Sequence, residues 1–283
     1  MSDALAATRA GVAQRIGFIG WGPGGAAVLA GAQRHAPQRA AAARVFLGGV
    51  QPAARPPLEA IASIEGLFSQ AELIFAEGDA AFLAGLLPML RLAISDRHVI
   101  VLLGHALSLE QLLHHLHERK LIRCLVRERD DPAAPLLAYV ASPYVSAAEL
   151  AAFRGLFGPQ AALLALQGEQ PFEVVSALTE IAPATFHTVL EAMADGALMM
   201  GLPREEALAL LSSLLAELGR AMLQPEHAAG QARSRALRSP VAAAGLMALE
   251  SSGMRGLIMR VVRDATQRLG AAPSHLPSSS DEI

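Results

Sequence analysis

Gly20-Trp21-Gly22-Pro23-Gly24-Gly25 is the segment of this chain whose residue types and spacing come closest to a chemical task. It follows the apolar run Ile16-Gly17-Phe18-Ile19 and precedes an Ala/Val/Leu-rich stretch at 26–32, so it fits G-x-G-x-x-G between a strand and a helix. In that setting Gly20 permits the tight turn, Gly22 lets a pyrophosphate approach the backbone, and Gly25 lets the helix pack closely on the strand. Pro23 suits a first helical position, where a missing N–H costs nothing. The helix N-terminus then offers N–H groups and the positive end of its dipole to a phosphate. Trp21 lies over the pyrophosphate, narrows the pocket, or packs against a neighbouring loop. The chemistry implied is dinucleotide binding by Gly20, Trp21, Gly22, Pro23, Gly24 and Gly25.

Other chemistry-bearing residues are sparse. His105 lies just after the apolar run Val99–Leu103, at the sheet edge where cofactors bind in such folds, and could touch cofactor or substrate. The end of the second strand, Leu47-Gly48-Gly49-Val50, has no acid for a ribose 2′-OH. That favours NADPH over NADH, with Arg55 a few residues on as a partner for a 2′-phosphate or as an exposed loop residue. His187, Glu191 and Asp195 recur at i, i+4, i+8 and share one helix face, which reads as pairing on a polar surface, because one face of one helix rarely closes a metal shell. Successive side chains of His114-His115-Leu116-His117 point apart on a helix, and that tract reads as solvated. Cys124, the single cysteine, falls in an apolar run and reads as a small core filler.

The inventory narrows the possibilities further. The 283 residues are 53% hydrophobic and 17% charged with a net charge of −3, which leaves no electrostatic footprint for nucleic acid or an anionic membrane. One cysteine excludes an intrachain disulfide and a cysteine-cluster metal site and fits a reducing compartment. Met1–Arg15 carries Asp3 and no continuous apolar core, so it does not read as a signal peptide, and apolar runs such as Ala80–Leu90 are too short to span a bilayer. A cytoplasmic protein is expected. Lys120 is the only lysine, and Tyr139 and Tyr144 are the only tyrosines, so few mechanisms through those groups are open.

The elements that must position the glycine loop follow from the pattern of apolar runs. Strands are expected at Ile16–Gly20, Arg44–Gly48, Glu72–Ala76, Val99–Leu103, Ile122–Val126 and Leu137–Ala141, with helices beginning near Pro23, Asp79, Ser108 and Ser146. Ser146-Ala147-Ala148-Glu149 is a capping box. This alternation predicts a doubly wound parallel sheet of Rossmann type over residues 1–168. Beyond it the strand signals stop. Helices are expected at Pro171–Gly201, with Pro183 at an internal start or kink, and at Arg204–Leu223, Pro240–Ser251 and Met254–Leu269. Residues 169–270 thus read as an all-helical domain, and 271–283 as a disordered tail. The wide Ala/Leu/Met faces of these helices exceed what one small layer can hide, so a partner subunit is expected to cover them.

Phe172–Pro203, with Pro183-Ala184, Glu191-Ala192-Met193-Ala194-Asp195 and Gly201-Leu202-Pro203-Arg204, resembles the dimerisation domain of the pyrroline-5-carboxylate reductases. Gly245–Glu250, Gly253-Met254-Arg255, Ile16–Gly25, Glu72–Ala76, Ser108-Leu109-Glu110 and Ala141-Ser142-Pro143 fall at that family's spacing, so the resemblance covers about residues 16 to 269. It implies NAD(P)H-dependent reduction of a cyclic imine, in the family 1-pyrroline-5-carboxylate to proline. It further implies a homodimer or higher homo-oligomer, Ala76 beside the cofactor, and a substrate site at helices shared by two subunits.

The chain departs from the family pattern in four loops. A-V-K-P becomes Ala76-Glu77-Gly78-Asp79, M-P-N becomes Leu125-Val126-Arg127, and G-G-T-T aligns with Ser239-Pro240-Val241-Ala242. The substrate-carboxylate loop S-G-S-G-P-A becomes Thr179-Glu180-Ile181-Ala182-Pro183-Ala184. Thr179 keeps a hydroxyl for binding. Glu180, if desolvated there, could protonate an imine nitrogen; otherwise it is a solvated helix-end acid. Three readings stay open: a diverged imine reductase, a non-catalytic dimeric binding or regulatory protein, and a dehydrogenase of amino or hydroxy acids.

Overall fold

The computed structural model describes residues 15–49, 56–127, 135–159, 161–223 and 238–270. Arg55 and the tail 271–283 lie outside the described residues. An eight-stranded sheet is ordered β3-β2-β1-β4-β5-β6-β7-β8. The strands are β1 (Ile16–Ile19), β2 (Arg44–Phe46), β3 (Glu59–Ala60), β4 (Leu73–Ala76), β5 (Val99–Leu103), β6 (Leu121–Arg127), β7 (Leu136–Ala141) and β8 (Ala162–Ala165). Around them run α1 (Pro23–His35), α2 (Pro37–Ala41), α3 (Ile64–Gln70), α4 (Ala80–Ala93), α5 (Leu109–Leu116) and α6 (Ala147–Arg154).

The sheet is doubly wound, as the apolar runs predict. Every residue of β1, β4 and β5 is buried, the pattern of strands covered on both faces. Alternate side chains feed two cores: Ile74, Ile100 and Leu102 pack in one, and Phe18, Phe75 and Val101 in the other. Two details differ from expectation. β6 and β7 pair antiparallel, where a parallel sheet was expected. β3 and β8 were not expected: β3 has two exposed residues and no apolar run, while β8 is the short apolar run Ala162–Ala165, which the sequence reading passed over. Ser108 and Ser146 cap α5 and α6 in reciprocal capping boxes with Gln111 and Glu149.

One unit of the chain ends at Ser176 and another comprises Ala177–Gly270. The boundary falls inside α7 (Glu169–Met199), a helix of 31 residues. Pro183 lies within α7 and does not interrupt it, so Thr179–Ala184, the expected substrate loop, is helical. The second unit adds α8 (Arg204–Met222), α9 (Pro240–Ser251) and α10 (Met254–Gly270). Its large apolar side chains stand exposed within this chain, among them Phe186, Met199, Leu214, Val241 and Met259.

A buried histidine gives the sheet unit a pH dependence. His98 is buried; its Nδ1 accepts from the Ser95 N–H and its Nε2 donates to the Phe68 carbonyl, both at 2.9 Å. Burial lowers its pKa below the ordinary 6.5, and the nearby Arg97 charge adds to the effect, outweighing the Phe68 carbonyl that accepts from the ring and the Glu72 charge. The unfolded chain therefore binds the proton more readily, and stability is lost as pH falls from about 6.5 toward the folded value. Urea unfolding across that window is expected to show the midpoint falling with pH. In His98→Gln this slope should be reduced to the share left by His115, whose pKa is also lowered by burial, and an unchanged slope would exclude His98 as a source.

Candidate functional site

The site begins where β1 and β4 end side by side. Their parallel register pairs Ile19 with Ala76, so the chain leaves the sheet at Gly20 on one strand and Glu77 on the other. This is the point where strand order reverses, the usual ligand crevice of open α/β sheets. Gly20 has φ +69, and a Cβ there would lie 1.9 Å from the Glu77 carbonyl oxygen. The Gly20 N–H donates to the Phe46 carbonyl and the Glu77 N–H to the Ile19 carbonyl, each at 2.8 Å, which extends the ladders past the strand ends.

Helix α1 starts from this loop with Pro23 in its first turn and with Gly22 as a cap residue that has no side chain to offer. The N–H groups of its first turn are met from elsewhere. The Gly24 N–H donates to Glu77 Oε1 at 2.9 Å and the Gly25 N–H to Oε2 at 2.7 Å. A Cβ on Gly22, Gly24 or Gly25 would meet that carboxylate at 2.7, 3.1 and 3.2 Å respectively. The glycines thus do for Glu77 what their spacing was expected to do for a pyrophosphate: they let an anion reach backbone N–H groups at a helix N-terminus. Two backbone N–H groups at a helix N-terminus are a donor set of the kind that a phosphate oxygen can also use.

A cleft of about 510 Å³ opens beside the loop, lined among others by Trp21, Gly22, Glu77, Gly78, Gly104 and His105. The structure therefore brings His105 together with the glycine loop, exposed at the mouth of the cleft. Trp21 is half-buried and packs edge-on against Phe18, with ring centroids 5.3 Å apart. Pro23 is exposed, and Ala76 is buried at the end of β4. Thr179 is half-buried and Glu180 exposed on α7, in the other unit of the chain. Asp195 pairs with Arg204 at 2.9 Å. Among the described residues no group of three or more His, Cys, Asp or Glu side chains is placed to hold a metal ion, and no helix is long and apolar enough to cross a membrane. Cys124 is buried, and burial pushes its thiol pKa well up.

The sequence reading missed two charged residues. Glu77 counted there only as a replacement within an altered loop, although an acid directly after β4 must sit beside the glycine turn. Arg123, on β6 and 1% exposed, was not singled out. Its guanidinium bonds the carboxylates of Glu169 and, at 2.6 Å, Glu173, and lies 4.3 Å from the centre of the Phe172 ring. Glu169 in turn accepts from the Leu109 N–H at 2.6 Å. These bonds tie the start of α7 to β6 and to the N-terminus of α5.

Residues 169–271 match the family described as pyrroline-5-carboxylate reductase dimerisation. The pyrroline-5-carboxylate reductase of Lophium arboricola is 38% identical over 91 residues, which are 32% of this chain and 28% of that protein. That of Synechocystis sp. is 26% identical over 178 residues, 62% of this chain and 65% of that protein. Each alignment spans less than two thirds of the relative's length. In fold, the chain resembles the crystal structure of Plasmodium falciparum pyrroline carboxylate reductase with NADP bound, with a TM-score of 0.73 and 17% identity over 91% of this chain and 97% of that one.

Proposed function

We propose that this chain, whose helical half belongs to the pyrroline-5-carboxylate reductase dimerisation family, is an NAD(P)H-dependent reductase of a carbon–nitrogen double bond. Its substrate would be 1-pyrroline-5-carboxylate or a related cyclic imine. The observation that carries this reading is the combination of that helical half with a glycine loop that cradles an anion on two backbone N–H groups. When bound, a reduced nicotinamide would supply the hydride to the imine carbon. The protein's share is to hold the pyrophosphate at Gly24 and Gly25, to border the cleft with Trp21 and His105, and to see that the nitrogen gains a proton. Thr179 and Glu180 are the candidates for substrate contact and proton supply. NADPH is the preferred nucleotide, since the β2 end offers Gly48 and Gly49 and no acid.

The exposed apolar residues of the helical unit support assembly into a homodimer or larger homo-oligomer. The single buried cysteine agrees with work in the cytoplasm. A second reading, a non-catalytic dimeric binding protein, draws on Glu77 already filling the glycine loop.

Titration of the purified protein with NADPH and NADH, followed by nucleotide fluorescence, tests the first reading. Binding is expected, together with oxidation of the nucleotide when cyclic imines are added. Absence of binding by either nucleotide at millimolar concentration would sink it.

A further inference from the structure

We propose that Glu77 is a built-in competitor for the dinucleotide, its carboxylate holding the N–H groups of Gly24 and Gly25 that a pyrophosphate needs. The inference rests on the reading of the cleft as a dinucleotide site. Three observations carry it. Both carboxylate oxygens are used, one on each N–H, at 2.9 and 2.7 Å. The glycine loop closes around this carboxylate, so that a Cβ at Gly22, Gly24 or Gly25 would press on it. The third is that Glu77 is half-buried and itself borders the open cleft, with glycine following it at position 78.

Electrostatics makes the competition strict. A helix N-terminus favours one anion, and two phosphates cannot share two N–H donors with a carboxylate at contact distance. The nucleotide therefore binds only after the Glu77 side chain turns into the cleft, while the Glu77 backbone stays fixed by its hydrogen bond to Ile19. Turning out gives up two charge-assisted hydrogen bonds and brings a negative charge alongside an anionic ligand. Both effects weaken nucleotide binding. The same contact caps α1 from 52 residues away, measured from Gly25, so Glu77 stabilises the apo protein as it opposes the ligand.

The test measures binding of NADPH and of inorganic pyrophosphate to the full chain and to Glu77→Ala and Glu77→Gln by titration calorimetry, with thermal unfolding of each. Glu77→Ala is expected to bind both ligands about ten-fold more tightly or better, with Glu77→Gln intermediate because it keeps an acceptor but loses the charge. Without ligand the alanine variant should melt lower, and pyrophosphate should raise its melting temperature more than that of the parent. Affinities within two-fold of the parent for both ligands and both variants would overturn the competitor role, even if melting fell, because a cap alone lowers stability without moving affinity. A gain for pyrophosphate with no NADPH binding by any of the three proteins would uphold the competitor role and instead remove the dinucleotide reading. Glu77→Gln, nearly isosteric, decides the matter if the alanine variant fails to fold. A folded variant that binds neither NADPH nor pyrophosphate overturns the proposal.

Discussion

Arg123→Ala is expected to lower the unfolding free energy of the sheet unit by about 3 kcal/mol, near the lower end of the range for breaking a buried ion pair. The arginine is fully buried, whereas Glu169 and Glu173 keep some contact with water, which moderates the loss. Truncation leaves two carboxylates facing each other with no cation between them and strips the guanidinium from the face of Phe172. The N-terminus of α5 also loses a fixed partner, because Glu169 is held against Leu109 by the same bonds. Urea unfolding followed by Trp21 fluorescence reads the effect, since the only tryptophan lies in this unit. The charge origin can be separated from packing. Arg123→Met should be destabilised similarly, and adding Glu169→Gln and Glu173→Gln should recover part of the loss. Equal stability of Arg123→Met and the parent would show that packing alone matters at this position.

Gly20→Ala is expected to cost more than any other single methyl in the glycine loop, about 2 to 6 kcal/mol from the combined cost of positive φ and overpacking. Its Cβ would lie 1.9 Å from the Glu77 carbonyl oxygen, a backbone atom of a residue whose N–H bonds Ile19, so no side-chain rotation relieves the clash. Gly49→Ala is the internal control. Gly49 has φ +81 and nothing within 4 Å of a built Cβ, so it meets only the conformational term, about 1–2 kcal/mol. Denaturation midpoints should separate the two variants clearly. Equal losses would mean that the turn, and not the approach of the Glu77 backbone, sets the requirement for glycine at position 20.

Much of this fold was legible in the chain because burial writes itself into composition. β1, β4 and β5 are covered on both faces, and their runs of consecutive apolar residues announce them. Ser108 and Ser146 announce helix starts because a cap is satisfied within four residues. β3 escaped notice for the opposite reason, since an exposed edge strand of two residues needs no apolar pattern, and β8 because an apolar run of four is short for a strand signal. Of the two readings of Pro183, an internal start or a kink, the start does not occur, because α7 runs through it. A long helix can carry an internal proline when neighbouring hydrogen bonds hold it, and α7 does.

The glycine loop shows where sequence stops and tertiary structure takes over. Spacing alone determined that an anion could reach the backbone after β1, because glycine freedom, a proline in the first helical turn and free N–H groups are properties of the local chain. It could not determine which anion. That was decided by the pairing of β1 with β4, which places Glu77, 52 residues beyond Gly25, directly over the N–H groups of the loop. Arg123 tells the same story: its partners lie 46 and 50 residues away and meet it only because α7 begins against β6. Local patterns fix strands, caps and turns because their forces act within a few residues. Charge partners are fixed by the sheet order, which brings distant parts of the chain to within hydrogen-bonding distance.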